Sequence, residues 1–194
     1  MAFQKHQGAP WLYDDTDGPR AGDIIGLKDP DGSEFYFARA GHYGAWRDLS
    51  DQTALLNTAT VMEFDTEVIA SGIEMVDSKK ITFTRGGKFN FTLTAQIQNS
   101  DNQIHNFYLW GRLNGIDIPG TMTRASVPES HGGNAGSIVL ERTYFAPINA
   151  GDYIEVMWLV DDVGITLQYS AAQSGPPVLP SSPSVALSVY EVAI

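Results

Sequence analysis

Residues 89–98, FNFTLTAQIQ, alternate without exception. Phe89, Phe91, Leu93, Ala95 and Ile97 are apolar, and Asn90, Thr92, Thr94, Gln96 and Gln98 are polar. Successive side chains of a strand point to opposite faces, so a period of two predicts a strand with one core face and one wet face. The preceding run KKITFT (79–84) sets Ile81 and Phe83 on one side, and Arg85-Gly86-Gly87 supplies the break of a hairpin. Further strands are predicted at 61–68, 104–113 (IHNFYLWGRL), 138–145 (IVLERTYF), 153–160 (YIEVMWLV), 165–169 (ITLQY) and 185–192 (VALSVYEV). Asn114-Gly115 after the second of these is a tight-turn dipeptide. No segment carries a convincing helical stripe; one turn around 49–56 comes nearest. Many short strands between turn signals predict an all-β sandwich or jelly roll.

Two stretches interrupt the strands. Residues 119–136 are rich in Gly, Ser and Thr, and 174–183 read SGPPVLPSSP. Proline has no donor for a ladder, so the second cannot be a central strand. Both are expected as loops at an end of the sandwich. Residues 1–50 differ from the rest. There, 23–27 and 33–38 flank the turn Asp29-Pro30-Asp31-Gly32, between the glycine-rich arms DDTDGPRAG and AGHYGAW. This β-element is too small to bury a core alone. The expected division is an N-terminal arm with a β-hairpin over residues 1–50 and a sandwich over residues 51–194. Trp11, Tyr13, Tyr43 and Trp46 are the exposed-looking aromatics that would anchor the arm to another surface.

Charge narrows the partners. The net charge is −11, from 23 acidic and 12 basic residues, so nucleic-acid phosphates would be repelled on average. The absence of cysteine removes disulfides, thiolate zinc sites and cysteine nucleophiles together. The start MAFQKHQGAPWLYDD lacks the apolar stretch of a signal peptide, and no apolar run is long enough to span a bilayer. The chain reads as soluble and made in a cytoplasm, with neither nucleic acid nor membrane as partner.

Several stretches carry candidate chemistry. In YDDTDGPRAGD (13–23), Asp15, Asp17 and Gly18 fit the middle of an EF-hand loop, but Tyr13 and Ile24 fall where its first and last ligands belong. A turn-rich arm is the better reading, and a glycosidase pair among Asp14, Asp15 and Asp17 lacks a cleft to face across. SHGGNAGS (130–137) has neither the GxSxG elbow nor the lysine of a phosphate loop. His6, His42, His105 and His131 show no metal-binding spacing, and His105 is expected to be packed in a strand. Asp161-Asp162 is ordinary strand-end turn chemistry, although copies gathered at a threefold axis would repel or hold a cation. Tyr108 and Trp110 fall on a strand that is apolar on both faces, so they belong either to the core or to a face between subunits. No catalytic, cofactor or metal-binding residue is assigned.

The segment PINAGDYIEVMW (147–158) resembles the late-strand signature of the tumour-necrosis-factor and complement-head jelly rolls. With SDQTALLNTATVMEFDT, ITFTRGGKFNFTLTAQIQNSD, FYLWGRLNGIDIPGT, HGGNAGSIVLERTYFAPINAGDYIEVMW and PSVALSVYEV, taken in order over about 50–194, the chain resembles the jelly-roll module of tailed-phage virion proteins. GDIIGLKDPDGSEFYFA (22–38) is loosely similar to short β-elements of phage head-decoration proteins. The resemblance implies a homotrimer, a place in the virion as decoration, head fibre or tail fibre, and no enzymatic activity. The expectation is a trimeric capsid decoration (cement) protein, made in the bacterial host cytoplasm. Its N-terminal arm would contact the major capsid protein or another virion protein. The alternative is a receptor- or glycan-binding fibre or spike tip, using the loops at 119–136 and 174–183.

Overall fold

The computed structural model describes residues 24–28, 34–38 and 41–192. Among these it contains strands and no helix. Strands β1 (Ile24–Lys28) and β2 (Glu34–Ala38) pair antiparallel as the expected hairpin, with Ile24 opposite Ala38 and Lys28 opposite Glu34. The remaining strands form two seven-stranded antiparallel sheets that share one core, so the protein is an all-β sandwich.

The first sheet is organised on β9 (Gly87–Asn99). Strand β13 (Gly136–Ile148) pairs along its whole length, from Gly87 opposite Ile148 to Asn99 opposite Gly136. The other side of β9 holds β16 (Val185–Glu191) and, at the far end, β15 (Ile165–Leu167). Beyond β16 come β3 (Tyr43–Asp48) and β6 (Thr66–Ser71), and β4 (Gln52–Thr53) pairs with β15.

The second sheet is organised on β14 (Tyr153–Val160). It has β10 (His105–Leu113) on one side and β5 (Thr60–Val61) and β8 (Lys80–Phe83) on the other. Strands β11 (Ile116–Asp117) and β12 (Thr123–Val127) flank β10, and β7 (Ile73–Val76) flanks β8.

The alternation at 89–98 is what builds the core. Phe89, Phe91, Leu93, Ala95 and Ile97 are all buried. They meet Phe107 and Leu109 of β10, Ile154, Val156, Trp158 and Val160 of β14, and Val185, Leu187 and Val189 of β16 in one cluster. Phe83 and Phe89 pack with ring centroids 4.7 Å apart. Each large side chain so buried contributes about 1.5–3 kcal/mol.

Several expectations are corrected. Trp46 is not an exposed anchor: it is 1% exposed and belongs to the core. Strand β3, within the stretch read as an arm, is paired on both sides, with β16 and β6. The glycine that made this stretch look like a linker is a packing device. A Cβ on Gly44 would collide with the indole of Trp46, two residues on along the same face. Residues 119–136 are not all loop, because Thr123–Val127 forms β12 against β10. The stretch 61–68 is divided between β5 and β6, and 49–56 holds β4 rather than a helical turn. Trp11, Tyr13, Asp14, Asp15 and Asp17 lie outside the described residues.

Candidate functional site

Asn99 ends β9 and is fully buried. Its Nδ2 donates to the carbonyls of Gln103 (2.8 Å) and Pro128 (3.0 Å), and its Oδ1 accepts the N–H of Asp101 (2.9 Å). One satisfied buried amide thereby holds the β9–β10 connection against the chain leaving β12. Asp101 then accepts the N–H of Gln103 on Oδ1 (2.9 Å), an Asx turn. These bonds aim the Asp101 carboxylate at the start of β10, where His105 stands.

The His105 imidazole is ringed by carboxylates from two connections. Nε2 lies 3.1 Å from Asp101 Oδ1 and 3.8 Å from Asp162 Oδ2, while Nδ1 lies 3.5 Å from Asp161 Oδ1. The adjacent acids have different jobs. Asp161 is held by the backbone N–H of Asn106 (2.7 Å) and by its Nδ2 (2.6 Å). Asp162 takes the N–H of Gly164 on Oδ1 (2.7 Å) and leaves Oδ2 toward the imidazole. Gly164 gives this approach room. A Cβ there would lie 3.0 Å from Asp162 Oδ1 and 3.2 Å from Asp101 Cβ. The side chain of His105 is 19% exposed, that of Asp101 40% and that of Asp162 32%, so the cluster is open to solvent on one side. The arrangement can hold a cation, whether a proton on the ring or a metal ion between ring and carboxylates.

At the opposite end of β10 the acids serve the fold. Asp117 accepts from Arg112 Nε (2.7 Å) and Trp110 Nε1 (2.8 Å), and these bonds hold its carboxyl below the usual aspartate value. The Asn114 side chain, and after it the Asn149 N–H, hold Asp152 down in the same way.

The outer faces carry the other candidates. Tyr108 and Trp110 point away from the core on β10 and are half-buried. Trp110 stands opposite Met157, which in turn stands opposite Val61. Met157 is 1% exposed yet lies outside the core cluster, so its own neighbours on that outer face cover it. On the first sheet, Phe145, Asn90, Tyr190 and Tyr43 form one cross-strand row. Phe145 is 70% exposed, Tyr190 49% and Tyr43 37%. Asn90, between Phe145 and Tyr190 in that row, is 2% exposed.

No protein-family model and no curated protein matches the chain. Its function is therefore argued from these surfaces. The cluster joins His105 to Asp161-Asp162, residues that sequence reading took as a packed strand histidine and a turn. Their meeting rests on the pairing of β10 with β14, for which no local spacing is a signal.

Proposed function

We propose that the chain is a structural virion protein of a tailed phage: a homotrimeric TNF-like jelly roll that decorates the capsid and is held there through its N-terminal arm. The connections support the jelly roll. The chain changes sheet repeatedly, from β4 through β7 at each connection and again between β8 and β9, β9 and β10, β12 and β13, β13 and β14, and β14 and β15, as a sheet pair wound from one long hairpin does. The ordered resemblance over 50–194 supports the virion, and residues 1–40, which precede β3, are the segment left to act as the arm.

The observation that carries self-association is the outer face of the first sheet. Behind the row of Phe145, Tyr190 and Tyr43 the outward positions are Thr143, Thr92, Ser188 and Ala45, all small and uncharged. The next row carries Glu141 on β13 at one margin and Arg47 on β3, one strand in from the other. Copies of a chain with net charge −11 repel one another, so they meet best over a face without excess negative charge. A head-to-tail ring lets Glu141 of each copy face Arg47 of the next, and a closing rotation gives a ring rather than a fibre.

Light scattering of the purified protein should give three times the chain mass of 21.1 kDa. A single-chain mass at micromolar concentration would refute the trimer. For the arm, protein lacking residues 1–40 should remain a folded trimer and fail to occupy particles devoid of the native copy. Full occupancy by that truncated protein would place attachment in the sandwich instead.

A further inference from the structure

We propose that Asp101, His105 and Asp162 form a divalent metal site of the zinc class, one per chain, independent of the trimer reading. Donor atoms from the three residues lie within 4.8 Å of one another, and the contacts to Nε2 measure 3.1 and 3.8 Å. Ligands about 2.0–2.2 Å from a tetrahedral zinc stand about 3.4 Å apart, so a small side-chain rotation completes the set.

The ring orientation is the second argument. Metal-bound histidines as a rule give their other N–H to a carboxylate, which fixes tautomer and direction. Here Nδ1 faces Asp161, whose oxygens are themselves held by Asn106. Metal binding would leave the proton on Nδ1, toward Asp161, and free the Nε2 lone pair for an ion that replaces its 3.1 Å hydrogen bond with Asp101. The donors are one imidazole and two carboxylates, with no thiolate in the chain. That mixture suits a first-row divalent ion with water completing the shell, and it disfavours calcium, which takes oxygen ligands. Gly164 keeps the two acid-bearing connections close enough to share one ion.

The full chain titrated with zinc chloride in a calorimeter should bind one zinc per chain. His105→Gln and Asp162→Asn should each weaken binding at least about tenfold, and Asp161→Asn, acting through the ring, about tenfold. Circular dichroism checks that each variant keeps the wild-type β-sheet spectrum. Nitrogen NMR of the wild-type imidazoles gives a readout that needs no variant: zinc should move the Nε2 signal of His105. No binding at about a hundredfold excess of zinc over protein would overturn the site. Unchanged affinity in folded His105→Gln, or zinc signals on His6, His42 or His131 instead, would overturn it as well.

Discussion

Trp110 and Phe145 both leave the sandwich on its solvent side, one from β10 and the other from β13. Their surroundings differ. Trp110 is tied through its indole N–H to Asp117 and stands opposite Met157, so the outer face of the second sheet has a small apolar layer closed by the chain itself. Phe145 stands in a row with Tyr190 and Tyr43 beside small residues and is 70% exposed. Exposed aromatics with one polar tip are what interfaces use as anchors. An outward aromatic is thus not evidence of an interface until its cover is known, and by exposure Phe145, Tyr190 and Tyr43 on the first sheet are the more open set.

The comparison can be broken by substitution on either side. The largest effect is expected from Phe145→Asp combined with Tyr190→Asp. It should reduce the scattering mass to that of one chain, because each central anchor of an interface is worth about 2 kcal/mol or more. The stability of the isolated chain should move by only about 1 kcal/mol, since both positions are exposed strand sites. The same logic reverses for Met157→Ala. Urea unfolding should show a loss of about 2–4 kcal/mol with the oligomer intact, because that methionine is almost fully enclosed. Next in size is Trp110→Phe, which removes the bond to Asp117 on a half-buried ring; a loss of about 0.5–1.5 kcal/mol is expected from thermal unfolding.

The smallest effect is a pH dependence confined to the second sheet's side. The folded carboxyl of Asp117 titrates below its ordinary value of 3.8, so its bonds to Arg112 and Trp110 contribute fully above that pH. The contribution is lost as pH falls through the lower folded value. Asp117→Asn should flatten the decline in melting temperature below pH 3.8 without altering the neutral-pH oligomer. A steepened decline would mean that the carboxylate is not stabilised in the fold.

Much of the sandwich was legible because its strands alternate. The run at 89–98 has its apolar positions on the core side as expected, but Arg85-Gly86-Gly87 does not make the expected hairpin: β8 and β9 do not pair, and the break carries the chain from one sheet to the other. Strand β12 escaped notice because TRASV has one large apolar residue, Val127; it is a strand by virtue of pairing with β10. Strand β3 escaped because Gly44 looks like flexibility when read alone and like clearance when the Trp46 ring is seen above it. The His105 cluster could not be read at all. Asp161 and Asp162 come more than fifty residues after His105, and each member has an ordinary local explanation.

The position of β16 has a consequence for how the chain acquires its shape. This strand, at Val185–Glu191, lies between β9 and β3, with Tyr190 opposite both Asn90 and Tyr43. During synthesis, β3 and β6 emerge early and find no central partner until residues 185–191 have left the ribosome. The pair β7–β8 and the pairs β9–β13 and β10–β14 are available sooner. Ordering is then outside-in along time: the middle of the sequence assembles first, and the earliest and latest strands dock together. Such long loop closures slow folding. They also leave Trp46, one of the earliest core residues made, without its β16 neighbours until near the end, so the nascent chain passes through a stage that exposes apolar surface.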